Sequence, residues 1–98
     1  MEDHVRVATY NLTKGTAEEA AELAKTGMLP IFKGQPGFIR YGVALLDNGK
    51  LASVSIWETH DEAEAAVKAA ADFVKNNMAD LIKLEDNHVG DFFFDEAG

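Results

Sequence analysis

The chain has 98 residues, 47% of them hydrophobic, a formal net charge of -8 and no cysteine. That fits a single domain spanning 1–98 with a limited core, and it excludes disulfides, thiolate metal sites and cysteine nucleophiles. The acidic balance and scattered basic residues argue against nucleic-acid binding; the absence of a long apolar run, and acid where a signal peptide carries base, lead us to expect a cytoplasmic protein with no membrane partner.

In chain order, Val5 to Asn11 has the β-branched and aromatic content of a strand. Thr16-Ala17-Glu18-Glu19 matches a capping box, in which side-chain oxygens satisfy the orphan donors of a helix start. Ala17, Ala20, Ala21, Ala24, Met28 and Phe32 keep helical spacing after it, and Pro30, which lacks a ladder donor, should kink or end this helix. Phe38 to Leu46 reads as a second strand, turned at Asp47-Asn48-Gly49 by residues that tolerate positive φ. Lys50 to Trp57 returns as the third strand. Thr59-His60-Asp61-Glu62 repeats the capping pattern, and Ala63, Ala66, Val67, Ala70, Phe73, Val74 and Leu81 draw one apolar stripe of a second helix. Val89 to Phe94 supplies the fourth strand.

The order βαββαβ suits a ferredoxin-like α+β fold: a four-stranded antiparallel sheet with both helices on one face and the first strand beside the third and fourth. Ala52, Val54 and Ile56 then face one way, while Leu51, Ser53, Ser55 and Trp57 face the other. An apolar sheet face left bare is expected to meet a second copy, so a homodimer follows.

Pro36-Gly37-Phe38 opening the second strand, the short hairpin, Ser53-Val54-Ser55-Ile56-Trp57-Glu58-Thr59 and the alanine-rich second helix resemble the antibiotic biosynthesis monooxygenase superfamily of dimeric α+β barrels. The resemblance spans nearly the whole chain and implies that barrel pairing. Its haem-degrading branch places an Asn on the first strand, a Trp ending the third and a His on the following helix. Trp57 matches, but Ala63 to Ala71 contains no histidine, His60 lies too early, and Asn11 sits at the far end of its strand, opposite the hairpin rather than beside Trp57. No cofactor is therefore expected.

An aromatic cluster beside Trp57, with Tyr41, Phe32 and Phe73 reaching in, is the candidate ligand-binding wall, although core packing accounts for the same rings. The resemblance points Trp57 toward the helices. Asn11 and His88 are expected near the hairpin end, and Val5, Phe38, Trp57 and Phe92-Phe93-Phe94 near the other. Ser53 and Ser55 have no His-Asp partner spacing, so a serine nucleophile is discounted. His4, His60 and His88 read as separated surface residues with no metal site, although His88 could carry a proton if it faced a cavity.

No catalytic residue is assigned by these observations, and two function classes follow. One is a cofactor-independent monooxygenase, as the resemblance implies, in which a phenolic or quinol-type aromatic substrate supplies the electrons to oxygen and the protein supplies positioning, water exclusion and a proton acceptor. The other is a non-catalytic dimeric protein that binds a small aromatic ligand or serves as a scaffold. They separate on whether a cavity lies between sheet and helices, and whether Tyr41, Arg40 or His88 projects into it.

Overall fold

The structure is a computed structural model that describes residues 3–97. Strands β1 (His4–Leu12), β2 (Phe38–Leu45), β3 (Leu51–Trp57) and β4 (Ile82–Asp91) form one antiparallel sheet in the order β2-β3-β1-β4. Helix α1 (Ala17–Leu23), a π-helical segment (Ala24–Met28), helix α2 (Leu29–Lys33) and the long helix α3 (His60–Asn77) cover one face, a ferredoxin-like α+β arrangement.

Both capping motifs form. The Thr16 hydroxyl accepts from the Glu19 N–H at 3.2 Å, and the Thr59 hydroxyl from the Glu62 N–H at 3.1 Å; each cap is worth about 1 kcal/mol. Pro30 does not end the first helical run. Its missing donor is absorbed by the widened π segment before it and by its position in the first turn of α2, where that donor has no intrahelical acceptor. At the hairpin, Gly49 takes φ +84°, and the Asn48 side chain accepts from the Lys50 N–H at 3.0 Å.

Strand parity then sorts the side chains. Arg6, Ala8 and Tyr10 stand opposite Ser55, Ser53 and Leu51, so these six share the helix-covered face with Trp57. Ala63, Ala66 and Ala70 of α3 are small enough to bring that helix down onto Trp57 and Phe32, forming one part of the core. Tyr10, Leu51, Met78 and Ile82 form the other, under α1. On the reverse face, Val5, Val7, Ala52, Val54 and Ile56 meet no second layer of helix or sheet among the described residues, and Gly42, Ala44, Val54 and Ile56 line a depression of about 370 Å³.

Strand β4 lies earlier than the sequence suggests. The pairing of His4 with Asp91 and Leu12 with Ile82 uses the acidic stretch of the chain, and a bulge between Thr9 and Tyr10 accommodates an extra residue in β4. Phe92 adds a last bond, donating its N–H to the Asp3 carbonyl at 3.1 Å. Phe93 and Phe94 follow the strand and are exposed. Among the described residues, no helix is long and apolar enough to cross a membrane.

Candidate functional site

The inward parity of β1 buries a cation. Arg6 is only 2% exposed, its Nε donates to Asn87 Oδ1 at 2.9 Å and its Nη2 to the Tyr10 hydroxyl at 3.0 Å. Among the described residues no carboxylate pairs with it. Its partners are neutral, so they satisfy two of five N–H donors but leave the charge uncompensated. Holding an ion out of water costs several kcal/mol unless an opposite charge approaches. The two N–H groups of Arg6 that are satisfied among the described residues leave three donors free for a further acceptor.

Space for such an acceptor lies beside it. Between α3 and β4 runs a cleft of about 290 Å³, walled by Val67, Ala71, Val74 and Leu84, with Arg6, Tyr10 and Asn87 as its polar end and the exposed Lys75 beside them. The volume is at the lower limit for a small-molecule site, and apolar walls with convergent donors are its usual make-up. Arg6 and Tyr10 also border an internal cavity of about 30 Å³ together with Tyr41 and Ser53, which is room for about one water. On the far side of that cavity, Tyr41 and Val43 border a second surface cleft of about 300 Å³ with Ala21, Lys25 and Leu29.

The four aromatic residues expected to wall a pocket divide by position. Trp57 points to the helices and is fully buried, with Nε1 donating to the Ser55 hydroxyl at 2.9 Å. Its ring meets Phe32 edge-on at 5.3 Å and Phe38 at 5.4 Å, and Phe32 meets Tyr41 at 4.9 Å. Phe73 occupies the space that a side chain at Gly27 would need, with its ring atoms 2.3 Å from that Cβ position. Tyr41 borders the internal cavity and the second cleft, whereas Trp57, Phe32 and Phe73 border none of these three spaces and pack behind them. Burial pushes the Tyr41 hydroxyl pKa up, against the Ser53 hydroxyl, which pulls it down; Tyr10 adds to the rise and Arg6 opposes it. Tyr41 thus stays protonated at neutral pH and keeps an O–H to donate.

Neither Arg40 nor His88 reaches these spaces. Arg40 stands opposite Ile56 and borders the depression on the bare face. His88 stands opposite Val7 in mid-strand, exposed on that same face, and not at the hairpin end, because β4 begins seven residues earlier than its apolar run suggested. Asn11 is at the hairpin end, where its side chain donates to Glu85 Oε2 at 3.1 Å. The histidines are not all separate: the rings of His4 and His60 lie 6.1 Å apart, edge to face, beside Asp91. Arg6 was readable in the sequence by one signal, its shared parity with Ala8 and Tyr10 on β1.

The comparisons with known proteins agree with this architecture. A protein of unknown function from Nitrosomonas europaea superimposes with a TM-score of 0.78 at 12% identity, over 100% of this chain and 96% of that one. SnoaB, a cofactor-independent oxygenase from Streptomyces nogalater, gives 0.64 at 20% identity over 99% and 97%. MupZ from Pseudomonas fluorescens gives 0.71 at 10% identity over 91% and 71%. No curated protein matches the sequence. The family model for antibiotic biosynthesis monooxygenases matches residues 4–72, which run from the first residue of β1 into α3 and include Arg6, Tyr41 and Trp57. The chain belongs to the antibiotic biosynthesis monooxygenase family.

Proposed function

We propose that the protein is a cofactor-independent monooxygenase acting on a phenolic or quinol-type aromatic, bound in the cleft between α3 and β4 with its ionised oxygen against Arg6. The observation that carries this reading is the buried guanidinium with no carboxylate partner among the described residues, at the polar end of an apolar cleft. Family membership and the likeness to SnoaB support the reaction class.

The chemistry asks little of the side chains. Arg6 lowers the pKa of a phenol beside it, because an adjacent opposite charge favours the ionised form. The proton leaves to water through the open cleft, so no dedicated base is required. The phenolate, electron-rich at its ring or benzylic carbon, gives one electron to O₂, and the radical pair couples to form a C–O bond. After protonation the resulting hydroperoxide loses water and leaves a quinone. One oxygen atom of O₂ enters the product and the other leaves as water; the substrate loses two hydrogens. Val67, Ala71, Val74 and Leu84 exclude bulk water from the ring. Tyr41, backed by Trp57, Phe32 and Phe73, closes the opposite side of the internal cavity and holds it in shape.

Oxygen uptake over a panel of hydroquinones and anthrone-like phenols tests this. Turnover with quinone product is expected from the native protein, together with its loss in Arg6→Met. Ligand binding that depends on Arg6 but consumes no oxygen would favour a non-catalytic binding protein, a reading supported by the small internal cavity and by a cleft whose described lining holds no carboxylate or histidine.

We further propose that two copies pair through the bare sheet face, as is typical of the family. The half-buried Val5, Val7 and Val54 supply its apolar surface. Sedimentation should give a dimer at micromolar concentration, shifted to monomer by Val54→Glu; a native monomer would overturn the pairing.

A further inference from the structure

Three side chains remote in sequence converge at the Trp57 end of the sheet, outside the cleft. His4 opens β1 and stands opposite both Trp57 and Asp91; His60 is the first residue of α3; Asp91 closes β4. His4 Nδ1 lies 2.5 Å from Asp91 Oδ1, His60 Nδ1 lies 3.6 Å from the same oxygen, and all three ligating atoms are within 4.8 Å of one another. Glu64, one turn along α3, approaches the opposite ring nitrogen of His60, with Oε1 3.2 Å from Nε2.

We propose that His4, His60 and Asp91 form a binding site for one divalent transition-metal ion, with zinc the best match. The donor set selects the class: two imidazoles and one carboxylate suit zinc, cobalt or nickel, and disfavour calcium and magnesium, which prefer an all-oxygen shell. Bond lengths of about 2.0–2.2 Å place tetrahedral ligand atoms roughly 3.3 Å apart. The atoms here span that separation, and the exposed His60 and Asp91 have rotamer freedom to close it. Glu64, the i,i+4 partner of His60 on the same helix, is placed where it can also serve a metal-bound ring. A metal-bound imidazole commonly donates its other N–H to a carboxylate, which fixes ring and tautomer, and Glu64 stands where it can accept from His60 Nε2 while Nδ1 faces the cluster. A fourth position is left to water. Bound there, the ion would tie the start of α3 to the paired ends of β1 and β4.

The site is independent of the cleft, so its test has no bearing on turnover. Calorimetric titration of untagged, chelator-treated protein with zinc should give one ion per chain in the micromolar range or tighter. His60→Ala and Asp91→Asn should each weaken this by at least about tenfold, and Glu64→Gln by a smaller factor. His88→Ala, outside the cluster, should leave it unchanged. Cobalt loading should produce visible bands that His60→Ala removes. Because His60 and Asp91 are exposed, their variants should retain the native circular dichroism spectrum. No heat at hundreds of micromolar zinc, or native affinity retained in both His60→Ala and Asp91→Asn, would overturn the proposal.

Discussion

Replacing Arg6 by methionine should stabilise the protein while disabling its site. Arg6 is 2% exposed and has, among the described residues, only the Asn87 amide oxygen and the Tyr10 hydroxyl as partners. Removing the buried charge relieves a desolvation cost of several kcal/mol. Against this, Tyr10 and Asn87 each lose a hydrogen bond, at about 1 kcal/mol apiece where water can replace it, and the cleft at their side admits water. Methionine refills most of the arginine stem's volume, so the cavity term is small. The net is a gain of about 1–2 kcal/mol, which for a chain of this size raises Tm by roughly 5–15 °C. Urea melts with an unchanged slope would show that the native state, rather than the unfolded ensemble, has moved. A Tm that fell by more than about 4 °C would refute the reasoning. It would show that Arg6 is a keystone of the fold, fully compensated by its neutral partners, and not a cation held for a ligand.

Trp57→Ala should cost about 3–5 kcal/mol, because the ring is fully buried against Phe32 and Phe38 and no cleft is adjacent to take up the loss; urea denaturation would measure it, and a cost below about 1 kcal/mol would mean that the aromatic cluster is loosely packed. Gly37→Ala should destabilise by at least about 1–2 kcal/mol, since Gly37 takes φ +79° and an added Cβ would lie 1.9 Å from Glu62 Oε1; an unchanged Tm would show that the turn before β2 can relax. The hydrogen bond from His4 to Asp91 holds that carboxyl below the usual aspartate range, aided by His4's charge and by His60, and opposed by desolvation. A depressed carboxyl pKa stabilises above the unfolded value and is lost as pH falls through the folded one. Thermal melts between about pH 2 and 5 should therefore show an acid limb that is shallower in Asp91→Asn, and identical limbs would contradict the pairing.

Much of the fold was legible because local signals and global pattern coincide. The two Thr-x-x-Glu caps start their helices where the motif places them, and Asp47-Asn48-Gly49 turns the hairpin with Gly49 at positive φ. The alternation of Ser53, Ser55 and Trp57 against Ala52, Val54 and Ile56 gives the two faces of β3 correctly. The fourth strand misled for a physical reason. Phe92-Phe93-Phe94 carries high strand propensity, but the ladder closes with Asp91 opposite His4, and the strand uses Lys83 to Asn87, whose charge suits an exposed edge. The site was less legible. Aromatic residues attract attention as pocket walls, yet Trp57 and Phe32 pack together, and the polar end of the cleft comes from Arg6 and Asn87, residues with no motif around them. The meeting of His4, His60 and Asp91 depends on three element ends coinciding in space, which no spacing along the chain reveals.

The central claim is that Arg6 receives an anionic aromatic, and the pKa of a bound phenol reads this directly. A chromophoric phenol titrated spectroscopically in the presence of excess protein should ionise at least about one pH unit below its free value, and Arg6→Met should abolish that shift. A bound phenol that ionises at or above its free pKa, or that binds Arg6→Met with the same spectrum and affinity as the native chain, would contradict the account.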